Sequence, residues 1–256
     1  MTFPADLTKR LDKAAKLIQS SRSAVVFTGA GISVPSGIPD FRSASTGLWN
    51  QFDPMAVASL SAFRYRTAAF FDWLEPLVSK ILQSQPNVAH ISLAKLELAG
   101  YLKTTITQNI DGYHQKAGSK DVIELHGSLE ELVCLTCCQR YLMANYVESW
   151  LEKHILPECP ACKTLLKPDI VLYEELLPTN AWQRAEFTCD NADLILVVGT
   201  SLEVMPASGL PYRCVQNQAK LIILNLSSTP LDAMADVLLP MDVASAFPEI
   251  CNRILD

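Results

Sequence analysis

The sequence predicts an α/β fold in which a parallel β-sheet carries helices on both faces, with a smaller module inserted beside the sheet. Three observations predict this fold. Short apolar runs of strand length recur along the 256 residues, segments with helical spacing separate them, and two insertions interrupt the alternation. Parallel strands are expected to be continuously apolar, because helices cover both faces of their sheet.

The predicted elements follow in order along the chain. A first helix is indicated by apolar residues at helical spacing, namely Leu7, Leu11, Ala14, Ala15 and Ile18. A later helix, Val88–Ala99, begins after Asn87 as its N-cap and is closed by Gly100. The predicted strands are Ala24–Phe27, Thr104–Thr107, Val122–Leu125, Leu194–Val198, Leu221–Leu224 and Val237–Leu239.

Small or polar residues follow five of these strands. The segments are TGAGIS after the first strand, QNID after the second, GTS after the fourth, NLSS after the fifth and PMD after the sixth. In an open parallel sheet, ligands bind in the crevice outside the carboxyl ends of the strands. The five segments therefore predict one continuous binding cleft on a Rossmann-like sheet.

Two insertions break the pattern. Residues 44–86 are rich in aromatic side chains and are predicted to be helical, and residues 128–168 contain two pairs of cysteines. We expect both insertions to form a small domain. The Rossmann-like domain would then comprise residues 1–43, 87–127 and 169–256.

The composition is typical of a globular protein, with 49% hydrophobic and 19% charged residues. No apolar run is long enough to cross a bilayer, and the N-terminal MTFPADLTKR lacks the layout of a signal peptide, which together predict a cytoplasmic protein. A net charge of −6 argues against nucleic acid as the main partner. Eight cysteines without an export signal indicate metal binding or buried thiols before disulfides.

The turn after the first strand is a candidate phosphate-binding loop. Gly29 and Gly31 would let the backbone approach a pyrophosphate, with successive N–H groups facing its charge. A tight strand-to-helix turn would need the same glycines, and the third glycine of the usual dinucleotide fingerprint is missing. These residues alone leave both interpretations open.

Two Cys-x-x-Cys pairs form a candidate metal centre. Cys134 with Cys137 and Cys159 with Cys162 offer four thiolates, which suit a tetrahedral structural zinc. Cys138 could take the place of Cys137. The alternative is a set of buried or redox-active thiols.

His126 is the leading candidate for a catalytic base. It follows a strand that ends at the predicted cleft, Gly127 beside it would leave room for a ligand, and a pKa of about 6.5 suits proton removal near neutral pH. A lone histidine after a strand is nevertheless more often structural. His90, His114 and His154 have weaker claims, and His90 falls within a predicted helix.

At these positions the sequence resembles the sirtuin family of NAD-dependent protein deacylases. The matching stretches lie in order between roughly residues 20 and 245. They are GAGISVPSGIPDFRS, TQNIDG with His114 and Ala117-Gly118, ELHG around His126, GTSL with Val204 and Pro206-Ala207, and Asn225.

The resemblance implies that an acyl group passes from a lysine side chain to the ADP-ribose part of NAD, with release of nicotinamide. His126 would be the general base and Asn109 a second catalytic residue, while zinc on the four cysteines would have no chemical role. The implied cofactor contacts are Gly29, Ala30, Gly31, Ser33, Val34, Pro39, Asp40, Phe41, Arg42, Gln108, Asn109, Ile110, Asp111, His126, Gly199, Thr200, Ser201, Asn225, Leu226, Asp242 and Val243. The implied partners are acyl-lysine peptides or proteins and NAD, with no membrane and no nucleic acid.

Lys167–Glu175, here called the substrate segment, matches the family segment that pairs with the substrate backbone as an added strand. Val171, Leu172 and Tyr173 are the implied substrate contacts. The chain departs from its relatives at Glu174, where many sirtuins have glycine. We expect this side chain to affect peptide preference.

A second departure concerns the acyl group. Relatives that remove acidic acyl groups carry a tyrosine and an arginine, three positions apart, where our alignment places Phe71 and Leu74. A buried succinyl carboxylate would then lack a partner, which is costly. Acetyl or longer apolar acyl groups are therefore expected.

Three other functions use the same features. Mono-ADP-ribosyl transfer and plain NAD hydrolysis would keep the cofactor and change the acceptor. A non-catalytic module that senses NAD and binds acyl-lysine proteins would use the cleft without chemistry. A dehydrogenase is disfavoured, because the resemblance assigns the cleft to cleavage of the cofactor.

Overall fold

The computed structural model describes residues 3–40 and 47–256. The strands are β1 (Ala24–Thr28), β2 (Thr104–Thr107), β3 (Val122–Glu124), β4 (Gly127–Cys134), β5 (Arg140–Leu142), β6 (Leu166–Ile170), β7 (Leu194–Val198), β8 (Lys220–Leu224) and β9 (Val237–Leu239). The helices are α1 (Ala5–Ser20), α2 (Pro54–Val57), α3 (Leu60–Tyr65), α4 (Thr67–Gln83), α5 (Val88–Leu98), α6 (Tyr113–Ala117), α7 (Val147–Lys153), α8 (Thr179–Asp190), α9 (Gly209–Gln216) and α10 (Val243–Leu255). Within these ranges, no helix combines the length and the hydrophobicity that a bilayer crossing requires.

Six parallel strands form the main sheet, in the order β3-β2-β1-β7-β8-β9. This is the strand order of doubly wound dinucleotide-binding folds, and it reverses direction between β1 and β7. All six predicted strands are present, with ends within one residue of the prediction. The predicted α/β fold is confirmed.

Helices cover both faces of this sheet. Successive residues of β1 point to opposite faces, so Val26 packs in the cluster that contains α1, α5 and α10, while Val25 and Phe27 pack in the cluster that contains α8 and α9. The main strands are buried almost throughout. This explains their continuous apolar character in the sequence.

Helix α5 begins where the sequence predicts and ends at Leu98, one residue before the predicted end. The Asn87 side chain accepts a hydrogen bond from the Ala89 N–H (2.9 Å), and the Asn87 N–H donates to His90 Nδ1 (3.3 Å). Gly100 follows the helix at φ +84, a left-handed conformation that suits glycine. His90 therefore serves as part of a helix cap.

The smaller module combines a three-stranded antiparallel sheet, β5-β4-β6, with α2, α3, α4 and α7. Its buried cluster is built around Phe70, Leu74 and Trp150. The cluster also takes in Tyr113 and Ile170, which lie outside the predicted small domain. The domain limits given above stay a prediction.

Candidate active site

A cleft of about 1060 Å³ opens at the carboxyl ends of β1, β2, β7 and β8, at the point where the strand order reverses. This is where doubly wound sheets bind their ligands. Of the implied cofactor contacts, its lining includes Gly29, Ala30, Gly31, Ser33, Pro39, Asp40, Gln108, Asn109, Ile110, Asp111, His126, Gly199, Thr200, Ser201 and Asn225. The fold thus brings together four of the five strand-end segments and His126.

Four implied cofactor contacts lie outside the lining of the cleft. Val34 and Leu226 are exposed, and Val243, the first residue of α10, is buried in the core. Asp242 is the N-cap of α10, where its Oδ2 accepts a hydrogen bond from the Ser245 N–H (2.9 Å). The segment after β9 therefore caps a helix. Contacts of these four residues with a cofactor stay predictions, and Phe41 and Arg42 lie outside the described residues.

The glycines of the first turn are required by contact between two strand-end turns. A Cβ at Gly31 would lie 2.7 Å from the Gly199 carbonyl oxygen, and a Cβ at Gly29 would lie 2.7 Å from Thr200 Cβ. The Gly31 N–H also donates to the Gly199 carbonyl (2.8 Å). Because β1 and β7 are neighbours, their turns must touch, and glycine is needed there whether or not a phosphate binds.

A network of buried hydrogen bonds connects the turn after β1 with the segment after β2. Ser33 Oγ donates to Asp111 Oδ2 (2.6 Å), and Asn109 Nδ2 donates to the Gly29 carbonyl (3.1 Å) and to Ser33 Oγ (3.3 Å). Burial raises the pKa of Asp111, and the Ser33 hydrogen bond opposes that rise. The network fixes the turn and the segment after β2 relative to one another.

Three of the four histidines have structural or surface positions. Burial lowers the pKa of His90 to about 4. It also lowers the pKa of His114 to about 3, with a smaller contribution from repulsion between the two rings when both are protonated, so both rings are neutral at physiological pH. His114 Nε2 lies 2.9 Å from Thr28 Oγ1. His154 is 76% exposed at the end of α7.

His126 is the histidine that lines the cleft. Its Nδ1 lies 2.9 Å from the carbonyl oxygen of Gln108. A carbonyl can only accept, so Nδ1 carries the proton and Nε2 is left with its lone pair. Burial lowers the pKa of His126, which keeps the ring neutral at pH 7. A neutral ring with an unprotonated Nε2 is the form that acts as a general base.

Gly127 has a different role from the one the sequence suggested. A Cβ at this position would lie 2.0 Å from the Asp169 carbonyl oxygen, and its φ is +72. The space beside Gly127 therefore holds the backbone of β6 rather than a ligand. The His126 carbonyl also accepts the Val171 N–H (2.8 Å), which ties the histidine directly to the substrate segment.

The substrate segment lines the cleft through residues that include Val171, Leu172 and Tyr173. An ion pair between Lys167 and Glu175 stabilises the conformation of this segment. Lys167, with a side chain only 5% exposed, contacts Glu175 Oε2 (2.9 Å) and donates to the Ile170 carbonyl (2.6 Å). Glu175 Oε2 also accepts the Leu172 N–H (2.9 Å). The sequence does not predict this pair, because lysine side chains normally lie in solvent.

Helix α4 presents Trp73, Leu77 and Ile81 to the cleft, and we call these three residues the apolar wall. They are spaced four residues apart and so share one helix face. Phe71 and Leu74 are buried in the core of the small module and are not part of the lining of the cleft. Helical periodicity could have identified the wall. The placement of Phe71 and Leu74 at the acyl group stays a prediction.

The four predicted zinc ligands form one cluster, in which the Sγ atoms of Cys134, Cys137, Cys159 and Cys162 all lie within 4.8 Å of one another. Sγ of Cys137 and Sγ of Cys159 are 3.8 Å apart. A tetrahedral zinc with Zn–S bonds of about 2.3 Å needs sulfur separations of about 3.8 Å. Cys138 is exposed, at φ +59, and lies outside this cluster. The donor set therefore fits structural zinc, with Cys137 rather than Cys138.

The fold and this site define a Rossmann-type dinucleotide-binding protein that carries a four-cysteine zinc module. Comparison with known proteins identifies the class more narrowly. Residues 29–206 match the model of the Sir2 family. The chain belongs to the Sir2 family, as the sequence resemblance predicted.

Relatives and solved structures agree with this assignment. The chain is 43% identical over 220 residues to an NAD-dependent protein deacetylase of Oceanobacillus iheyensis, covering 86% of this chain and 90% of the relative. It is 42% identical over 243 residues to NAD-dependent protein deacylase 2 of Archaeoglobus fulgidus, covering 94% and 95%. A solved structure of Sir2 with p53 peptide and NAD⁺ has a TM-score of 0.85 at 38% identity, covering 94% of this chain and 96% of that one. A Sir2 variant solved with deacetylated p53 peptide and 3'-O-acetyl ADP-ribose has a TM-score of 0.89 at 38% identity, covering 94% and 97%.

Proposed function

We propose that this chain is an NAD-dependent protein-lysine deacylase, which transfers the acyl group to the ADP-ribose part of NAD and releases nicotinamide. The observation that carries the proposal is the setting of His126. The Gln108 carbonyl orients its ring, and its own backbone carbonyl accepts a hydrogen bond from the N–H of Val171 in the substrate segment. The imidazole thus lies where a dinucleotide on the strand ends would meet a peptide on the substrate segment.

The residues of this chain have distinct roles in the proposed reaction. NAD supplies an electrophilic anomeric carbon, a nicotinamide leaving group and ribose hydroxyl groups that receive the acyl group. His126 takes a proton from a ribose hydroxyl at Nε2, and the Gln108 carbonyl stabilises the resulting imidazolium through Nδ1–H. Asn109 and Asp111 hold the turn that faces the nicotinamide end. The apolar wall helps to exclude water from the reacting groups.

Turnover of an acetyl-lysine peptide with and without NAD tests this proposal. We expect deacetylation only with NAD, with one nicotinamide released per peptide, and O-acetyl-ADP-ribose as the product seen by mass spectrometry. Turnover without NAD would contradict the mechanism. An ADP-ribosylated protein or free ADP-ribose would instead favour the transferase or hydrolase alternatives, and binding without nicotinamide release would favour a sensing module.

The cellular setting is part of the proposal. None of the eight cysteines, all of which lie in the described residues, forms a disulfide, as the reducing cytoplasm favours, and thiolates build the proposed metal site. We propose a cytoplasmic protein that acts on acyl-lysine proteins or peptides without binding nucleic acid directly. The chain's net charge of −6 supports the last point.

We also propose that the accepted acyl groups are apolar. The apolar wall faces the cleft, and Trp49 stacks on Trp73 at 5.9 Å between ring centroids. Among the described residues that line the cleft, none is a lysine or an arginine, whereas several carry carboxylates. A succinyl carboxylate would therefore be desolvated without a cationic partner among the described residues, which costs several kcal/mol.

A panel of acyl peptides tests this preference. At saturating NAD, we expect kcat/KM for a succinyl-lysine peptide to be roughly 100-fold below that for acetyl-lysine, because a few kcal/mol corresponds to such a factor. A butyryl-lysine peptide, which is apolar and of similar length, is the matched control and should remain within about tenfold of acetyl. Equal turnover of succinyl and butyryl peptides would contradict the apolar assignment.

A further inference from the structure

Glu174 occupies a backbone position that normally favours glycine. Its φ is +74, in the left-handed region that side chains with a Cβ adopt rarely. Such a position is held only when the surrounding contacts determine it, and those contacts then call for an explanation. Glu174 also lines the cleft, next to the residues implied in substrate contact.

The contacts that hold Glu174 come from α3. Glu174 Oε2 accepts the backbone N–H of Ser61 at 2.8 Å. The neighbouring Tyr173 carbonyl accepts the Leu60 N–H (3.0 Å), and the Tyr173 N–H donates to the Ala58 carbonyl (3.0 Å). The substrate segment therefore supplies acceptors for two successive N–H groups in the first turn of α3.

The carboxylate is ionised at neutral pH. The hydrogen bonds with Ser61 hold the pKa of Glu174 below its usual range, and the charges of Arg64 and Arg66 lower it further. A hydrogen bond to an ionised carboxylate is shorter and stronger than one between neutral groups. The hydrogen bond from the Ser61 N–H to Glu174 is therefore stronger than it would be with a neutral acceptor.

The turn Leu172–Glu175 is consequently held from two sides. Glu175 binds it to the buried Lys167, and the Glu175 N–H donates to the Leu172 carbonyl (3.1 Å). Glu174 binds the same turn to the helical insertion. A backbone that is already ordered pays less conformational entropy when a peptide pairs with it.

We propose that Glu174 is a positioning residue for the substrate peptide. Its carboxylate accepts the Ser61 N–H and so fixes the substrate segment against the helical insertion in the conformation that pairs with the peptide. The proposal rests on the proposed deacylase function for its kinetic consequence, but not for the hydrogen bond itself. Glu174 acts through the backbone and takes no part in the chemistry at His126.

Three substitutions at this position separate the carboxylate from the backbone strain. Glu174→Ala removes the acceptor and keeps a Cβ at positive φ, Glu174→Gly removes the acceptor and relieves the strain, and Glu174→Gln keeps an acceptor oxygen. We expect the Ala and Gly variants to raise KM for an acetyl-lysine peptide about three- to tenfold, the range of a lost helix cap at an exposed site. The KM for NAD should stay within about twofold, since the strand-end turns are untouched. Glu174→Gln should recover part of the loss, because its amide oxygen accepts the Ser61 N–H without the charge.

Hydrogen exchange provides a readout that does not depend on activity. The amides of Leu60 and Ser61 should exchange faster in the Ala and Gly variants than in wild type or Glu174→Gln. Asp53→Ala is the matched control, because Asp53 caps α2 in the same insertion through the Met55 N–H (3.0 Å) and lies outside the lining of the cleft. It should leave the peptide KM unchanged.

An unchanged peptide KM in Glu174→Ala, an equal rise in the KM for NAD, or unaltered exchange at Ser61 would overturn the positioning role. An inactive wild-type protein would overturn the proposed function instead. Exchange at Ser61, together with the affinity of a fluorescent acetyl-lysine peptide for each variant, would then still decide the role of Glu174.

Discussion

His126→Ala is expected to lower kcat for deacylation by roughly 100- to 10,000-fold, which is the usual contribution of a positioned general base. The structure gives the reason: Gln108 fixes the Nδ1–H tautomer, and alanine leaves no other neutral imidazole lining the described cleft. Single-turnover kinetics with an acetyl-lysine peptide measures the effect. His154→Ala is the matched control, because that ring is exposed, and it should keep wild-type turnover.

The same residue sets the expected pH dependence. The base must be neutral, and burial lowers the pKa of His126 below its ordinary value of 6.5. Activity should therefore persist as the pH falls to 6.5 and decline only below it, at the lowered pKa. The acid limb of kcat/KM, measured in wild type, reports this value for the free enzyme. A limb well above pH 6.5, or undiminished turnover in His126→Ala, would contradict the assignment.

Cys159→Ser is expected to abolish zinc binding and to unfold the smaller module. Cys159 is buried within the four-cysteine cluster, and its Sγ lies 3.3 Å from the Tyr141 hydroxyl. Structural zinc contributes about 10–16 kcal/mol in small zinc-binding domains. This is as large as the whole stability of a typical domain, about 5–15 kcal/mol, so we expect the module to lose its fold without the metal.

Metal analysis and hydrogen exchange check this outcome. We expect Cys159→Ser to lose its zinc and the protection of β4 and β6, while β1 and β7 of the main sheet stay protected. Cys138→Ser is the matched control and should keep both metal and stability, because Cys138 is exposed and outside the cluster. Full zinc occupancy with an unchanged Tm in Cys159→Ser would rule out the proposed site.

The strands of the main sheet could be predicted because each is identified by a short stretch of its own sequence. Strands buried on both faces are continuously apolar, so β7 stands out as Leu194–Val198, followed directly by Gly199. The spacing of two Cys-x-x-Cys pairs likewise favours a metal cluster, although only the structure brings the four thiols together and distinguishes Cys137 from Cys138. Asn87 and Gly100 define α5 through local capping.

Features that depend on distant contacts could not be predicted. The need for glycine at position 127 comes from the Asp169 carbonyl, which a different strand delivers. The burial of Lys167 depends on Glu175, across a turn whose shape the sequence does not specify. The role of Glu174 depends on Ser61, more than a hundred residues away. In each case the deciding neighbour is known only once the chain has folded.

The most direct test of the account is a crystal structure of the protein with NAD and an unreactive acyl-lysine peptide. We expect the dinucleotide along the turns after β1 and β7, the peptide beside the substrate segment, and His126 Nε2 within about 3.5 Å of a hydroxyl on the nicotinamide ribose, close enough for proton transfer. A complex in which this ring faces away from the ribose, or in which NAD occupies another surface, would contradict the proposed chemistry.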